Sequence, residues 1–388
     1  MHRPVRVCLV INRLVVGGAE TVALDVARSL DPERFQTRIL ATAEPAAGPM
    51  SEMRRRCEES GVPVTSMGLT SYADPRSLWK LTRFFKKHAC DVVHGHSRFA
   101  DLWAARTAAW ARVPAIYWTR HLVYDDMSAH QIQRYRSASS KVRRIFAVSE
   151  TVRRYCLETE GIPANKVQTL VNGIDTQRFR PLTSEAREAK RRSLGLKDDD
   201  LMLLFVGRMA DQKAPEAFIR AVTGLSAPGR RIVSFICGAG PREEEIRNVA
   251  AAATAEVRHL GLRKDIPEML ASADLFVSTS RSEGLPLNVM EAMACGTAIV
   301  APGLSQIREL MDDSMQRDCL YQTLPETGYV PEGVTSACRQ RMATLLNAPE
   351  TRRSLGTRGR ERIVNDFSLS AHVSKQAEIY ASDLARDA

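Results

Sequence analysis

The chain has 388 residues, of which 44% are hydrophobic and 6% aromatic, a length that exceeds one ordinary core and suits two domains. Its longest apolar runs, such as Val7–Ile11 and Leu201–Val206, are strand-sized and fall far short of the roughly 20 residues of a membrane-spanning helix. The net charge of +10 is unevenly placed: residues 1–180 carry +11 and the remainder −1, which suggests an anionic partner for the first half.

Met1–Arg6 runs straight into the first apolar segment with no signal-peptide core. The eight cysteines lie far apart, include no CxxC pair and sit partly in apolar runs, where a thiol behaves as a small buried hydrophobe. A reduced, cytoplasmic protein is expected. Strands are expected at Arg6–Ile11, Thr37–Ala41, Asp91–His94, Ala115–Trp118, Arg144–Val148 and Val167–Val171. Helices are expected near Glu20–Leu30, Pro75–His88, Ala100–Ala109 and Glu150–Thr159. A charged separator, Ser184–Asp200, follows Pro181. The second half repeats the plan, with strands at Leu201–Val206, Ile232–Cys237, Val257–Leu260, Leu275–Ser278 and Ala298–Ala301. Its helices are expected near Pro215–Leu225, Arg242–Ala253 and Asn288–Ala294. Such alternation predicts an α/β protein of two Rossmann-like, doubly wound domains facing across a cleft. The boundaries read are 1–180 and 181–367, with a helical tail at 368–388 packing back on the first domain.

Motifs stand at the expected strand ends. Gly17-Gly18-Ala19-Glu20 follows the first strand, where glycines let backbone amides approach a phosphate. It is not the spaced G-x-G-x-x-G of a dinucleotide site, which argues against a nicotinamide dehydrogenase. His94 and His96, two residues apart with no third ligand in view, are weak evidence for a metal and read as structural or acceptor-side. Thr119-Arg120-His121 closes another strand, and His121 is placed to donate to a sugar hydroxyl or diphosphate edge. Asn172-Gly173-Ile174-Asp175 is a turn sequence. Asp198-Asp199-Asp200 matches a metal-binding DxD by letter but precedes a strand, and reads as a solvated turn.

Gly207-Arg208, followed by Lys213, ends the first strand of the second half. A guanidinium and an ammonium there suit phosphate oxygens, although an ordinary surface pair with Asp211 has the same letters. Gly238-Ala239-Gly240-Pro241 ends the next strand. The sharpest signal is Glu283-Gly284-Leu285-Pro286-Leu287-Asn288-Val289-Met290-Glu291, a loop that opens a helix. Backbone amides around Leu287–Met290 would face a diphosphate, and two carboxylates, Glu283 and Glu291, suit vicinal sugar hydroxyls.

In this order the motifs resemble those of glycosyltransferase family 4, across nearly the whole chain. One departure is Ala214-Pro215 after Lys213, where the family pattern has glycine. The resemblance implies a retaining transferase that moves a hexose from a nucleoside-diphosphate sugar, most often UDP, to a hydroxyl acceptor, with no metal and no other cofactor. It assigns catalysis to His121, Arg208, Lys213 and Glu283. It assigns donor binding to Gly17, Gly18, Gly207, Gly238, Gly284, Leu285, Pro286, Leu287, Asn288, Val289 and Glu291. The acceptor implied is a glycan, lipid-linked saccharide or small-molecule glycoside, and no nucleic acid is expected. Two alternatives stay open: an epimerase or hydrolase on the same fold, and a non-catalytic protein that binds an anionic surface.

The segment Ser77–His88 is amphipathic by letter. Leu78, Leu81 and Phe85 share a stripe, with Arg76, Lys80, Arg83 and Lys87 around it and Trp79 and Phe84 available as interfacial anchors. With the basic first half, it suggests peripheral attachment at the inner face of an anionic membrane.

Overall fold

The computed structural model describes residues 3–43, 50–69, 74–124, 126–322 and 331–386. It comprises two compact units, Met1–Gly173 with Leu369–Ala388, and Ile174–Ser368. The first holds a parallel sheet of β1 (Val5–Ile11), β2 (Phe35–Ala41), β3 (Val64–Ser66), β4 (Val92–Gly95), β5 (Ala115–Arg120), β6 (Arg144–Ala147) and β7 (Val167–Thr169). Their order is β3-β2-β1-β4-β5-β6-β7, so the winding reverses between β1 and β4. The second unit holds β8 (Leu201–Val206), β9 (Ile232–Cys237), β10 (Val257–Gly261), β11 (Leu275–Val277), β12 (Ile299–Pro302) and β13 (Leu320–Tyr321). These run β10-β9-β8-β11-β12-β13 and reverse between β8 and β11. Continuous apolar runs such as Leu201–Phe205 are buried throughout, as strands covered by helices on both faces must be. Ligands of such sheets bind beyond the strand C-termini at the reversal.

The division falls at Gly173/Ile174, ahead of the boundary expected at 180. Residues 174–179 are stapled to the second unit: Ile174 N donates to Phe367 O at 2.8 Å, and the Arg360 guanidinium donates to the carbonyls of Thr176, Phe179 and Ala294. The charged stretch Ser184–Asp200 is not a separator. It forms a helix, Ser184–Ser193, capped by Thr183, whose buried Arg191 bonds Asp274 at 3.0 Å and the carbonyls of Ser272 and Asp200. Nor is Asp200 solvated. It is 4% exposed, accepts from Lys197 N and pairs with Arg231, so this one carboxylate fixes the approach to β8, while Asp198 and Asp199 are exposed as expected.

The tail forms the helix Leu369–Ala385, which buries His372, Val373, Gln376, Ala377, Tyr380 and Asp383 in the first unit. Asp383 takes a two-pronged bond from Arg144 at 2.7 Å and one from Tyr117 at 3.1 Å. On the helix Pro75–Lys87, Leu81, Phe84 and Phe85 are buried. Phe84 is therefore core and no anchor, whereas Trp79 is 60% exposed with Arg83 stacked over its ring. The cysteines are buried and unpaired. Among the described residues, no helix is long and apolar enough to cross a membrane.

Candidate active site

In the second unit the expected residues gather at the reversal. Lys213 follows β8 and Glu283 follows β11, and Lys213 Nζ lies 2.5 Å from Glu283 Oε1. The Glu283 side chain is 5% exposed and that of Lys213 17%, so the pair is largely shielded from water. Arg208 is exposed, with Nη2 donating to Gln212 Oε1 at 3.2 Å, and Gln212 Nε2 donates to Ser282 O at 3.0 Å. One glutamine thus ties the Arg208 turn to the Glu283 loop. Asp211 does not neutralise Arg208 or Lys213; it pairs with Arg242 at 2.7 Å.

Ala214 adopts a left-handed conformation, φ 46°, which costs a non-glycine residue about 1–2 kcal/mol. The missing glycine therefore leaves the turn in place, strained, with Thr279 Oγ1 donating to Ala214 O at 2.9 Å. Across this turn Lys213 contacts Glu283. Gly238 has φ 135°, and a Cβ there would sit 1.9 Å from Gly207 O, so the turns after β8 and β9 touch backbone to backbone.

Gly284, Leu285 and Pro286 are buried in the loop before the helix Leu287–Ala294, and no side chain caps that helix. Its amides are only partly available. Val289 N bonds Asn288 Oδ1 and Pro286 O, and Met290 N bonds Pro286 O, which corrects the expectation of a free row from Leu287 to Met290. The amides of Leu287 and Asn288 remain for an anion. Asn288 Nδ2 donates to Val206 O at 2.8 Å, fixing the helix start to the end of β8. Glu291 lies half-buried on the same helix.

In the first unit, Gly17 precedes the helix Gly18–Ser29 after β1, and a Cβ on it would meet the Glu20 carboxylate at 2.3 Å. Its φ of −145° suits any residue, so a side chain there would displace the Glu20 carboxylate rather than strain the backbone. His94 and His96 extend from β4 and His121 follows β5. His94 bonds Tyr380 OH at 2.6 Å and Thr119 Oγ1 at 2.8 Å, a structural role. His96 Nδ1 lies 3.2 Å from His121 Nε2. Burial depresses all three, His121 to about 3, so the imidazoles are neutral at pH 7. Among the described residues, no group of three or more His, Cys, Asp or Glu could hold a metal.

Beside them lies a buried ionic cluster that the sequence did not disclose. Arg120, 1% exposed, bonds Glu160 at 3.0 Å, lies 3.8 Å from Asp101 and sits over the Tyr135 ring at 4.4 Å. Burial pushes the Asp101 carboxyl up to about 7 against the pull of Arg120. Gly95 is what admits it: a Cβ there would lie 2.3 Å from Asp101 Oδ1. Gln212 and Thr279, which support the second-unit site, were missed as well, because neither belongs to a charged or glycine-rich pattern.

Two Rossmann-like parallel sheets in series are the architecture of the GT-B class of fold. Residues 16–178 match the family model described as Glycosyltransferase Family 4, and residues 186–362 match that of Glycosyl transferases group 1. The two models together span most of the chain, which belongs to glycosyltransferase family 4 and is a glycosyltransferase. It is 24% identical to the UDP-Gal:alpha-D-GlcNAc-diphosphoundecaprenol alpha-1,3-galactosyltransferase of Escherichia coli, over 98% of this chain and 97% of that one. A D-inositol 3-phosphate glycosyltransferase of Salinispora arenicola is 25% identical over 95% of this chain and 88% of its own. Among solved structures, Anabaena HepE in complex with UDP and glucose superposes with a TM-score of 0.81 at 17% identity, covering 97% of this chain and 100% of that one.

Proposed function

We propose that this enzyme transfers a hexosyl group from a UDP-sugar, with retention, to a hydroxyl of a glycan, lipid-linked saccharide or small glycoside, without a metal. The observation that carries the reading is the meeting of Arg208, Lys213 and Glu283 at the β8–β11 reversal. A diphosphate arriving there draws Lys213 from Glu283, and Arg208 with the Leu287 and Asn288 amides shares the charge. Glu291 accepts from the ribose hydroxyls, and His121 bonds a sugar hydroxyl. The bond from the anomeric carbon to the β-phosphate oxygen breaks as the acceptor oxygen bonds that carbon on the same face. The acceptor proton passes to the departing phosphate, giving UDP and the glycoside. The E. coli relative, named for UDP-Gal and a diphosphoundecaprenol acceptor, supports both the nucleotide and a lipid-linked acceptor.

Thermal-shift measurements with UDP-, GDP- and dTDP-sugars test the donor, because a ligand that binds only the folded state raises the unfolding temperature. UDP-sugars are expected to stabilise most; stabilisation by GDP-sugars alone overturns the choice of base. Glu291→Ala is expected to weaken UDP binding about tenfold to a hundredfold, the worth of a charged hydrogen bond. Titration calorimetry on the folded variant checks it, and unchanged affinity removes Glu291 from the ribose.

A membrane-bound acceptor accords with the exposed face of the helix Pro75–Lys87, where Arg76, Trp79, Lys80, Arg83, Lys86 and Lys87 face outward. Each such cation contributes on the order of 1 kcal/mol near an anionic surface. Co-sedimentation with anionic, but not neutral, liposomes is expected at low salt. No binding to either moves the acceptor to a water-soluble glycoside.

A further inference from the structure

Two hydrogen-bonded ring nitrogens need one proton between them, and the surroundings of the three histidines decide where it sits. Gln376 Nε2 donates to His94 Nδ1 at 3.2 Å, so Nδ1 is an acceptor and His94 carries its proton on Nε2, donating to Thr119 Oγ1. Tyr380 OH accepts from Gln376 at 2.6 Å and donates to the same Nδ1. The His96 ring packs on that fixed ring with centroids 4.3 Å apart. His96 is fully buried, its Nδ1 faces His121 Nε2, and its own Nε2 has no partner among the described residues. Were His96 protonated on Nε2, that N–H would be buried and unmatched, a rarer and costlier state than an unmatched lone pair. The proton therefore belongs on His96 Nδ1.

We propose that His96 is a positioning residue: its Nδ1–H donates to His121 Nε2 and holds His121 as the Nδ1–H tautomer, so that His121 meets its ligand as a hydrogen-bond donor. The ligand part of this rests on the reading that His121 contacts the donor sugar. Free neutral histidine prefers the Nε2–H form, in which His121 would turn a lone pair toward a hydroxyl or phosphate oxygen. The fold thus selects the minor tautomer, the one that can donate to an oxygen of the donor.

Long-range proton–nitrogen NMR on the full chain labelled with 15N-histidine reads which ring nitrogen carries the proton, without substrate. In the unmodified protein His121 is expected as Nδ1–H. His96→Asn, whose carboxamide N–H takes the place of Nδ1–H, keeps that form, and His96→Ala reverts His121 to Nε2–H. The kcat/KM for transfer falls about tenfold in His96→Ala, a hydrogen bond's worth, and recovers in His96→Asn. An Nε2–H signal for His121 in the unmodified protein overturns the proposal and needs no variant to fold. A switched tautomer with unchanged kcat/KM also overturns it, by removing the donor role toward the ligand. Because the tautomer is read without substrate, a donor panel in which no UDP-sugar binds would overturn the proposed function and leave the His96–His121 assignment to be decided separately.

Discussion

Lys213→Ala and Arg208→Ala are each expected to lower turnover by about two orders of magnitude or more, the usual loss when a group that stabilises transition-state charge is removed. The two differ in what they leave behind. Arg208 is exposed, and its removal subtracts one cation from solvent-facing space. Lys213 is the ion-pair partner of Glu283, so Lys213→Ala leaves a carboxylate 5% exposed with no cation beside an incoming diphosphate. Nucleotide affinity should therefore fall further for Lys213→Ala than for Arg208→Ala. Adding Glu283→Gln should recover affinity and not turnover. Steady-state kinetics and calorimetry with the best donor check both quantities. EDTA should leave the unmodified enzyme's rate unchanged; loss on chelation that manganese restores would overturn the metal-free mechanism.

Arg120→Met should destabilise the protein by about 3–5 kcal/mol in denaturant unfolding, the cost of breaking a buried pair and stranding its partners. Two carboxylates, Glu160 and Asp101, share this guanidinium in a site closed to water. Asp101 gives the effect a pH dependence with a definite sign. Its folded pKa, about 7, lies above the usual carboxylate value, so the folded state binds a proton that the unfolded state has already released. Stability from this group is present below about pH 4 and is lost as pH rises through about 7. Without Arg120 the ionised form is worse still, so the deficit of the variant should be larger at pH 8 than at pH 5. Asp101→Asn should flatten that difference.

Strands were legible wherever the sequence spelled a long apolar run: Leu201–Val206 and Ile232–Cys237 are bounded in the structure as in the sequence. Val64–Ser66 and Leu320–Tyr321 were not, because two or three residues at the sheet edge carry too little pattern. The helix Ser184–Ser193 was hidden by its charges, since its buried face is held through Arg191 and not through an apolar stripe. At the site, charged and glycine-rich motifs could be found by letter. Their supports could not, because Gln212 and Thr279 act through bonds to residues 65 to 70 positions away, a relation that spacing along the chain does not encode.

Ile174 and Phe367 are hydrogen-bonded neighbours, so residues 174–368 enter the fold as a single insertion into the first unit. During synthesis the earliest-made sheet must wait for that whole insertion before Gln376 and Tyr380 reach His94, and before Asp383 reaches Arg144. The second unit has no such delay, since its chain is continuous. A chain cut short after residue 368 would hold Arg208, Lys213 and Glu283 in a continuous second unit and lack the helix Leu369–Ala385 that bonds His94.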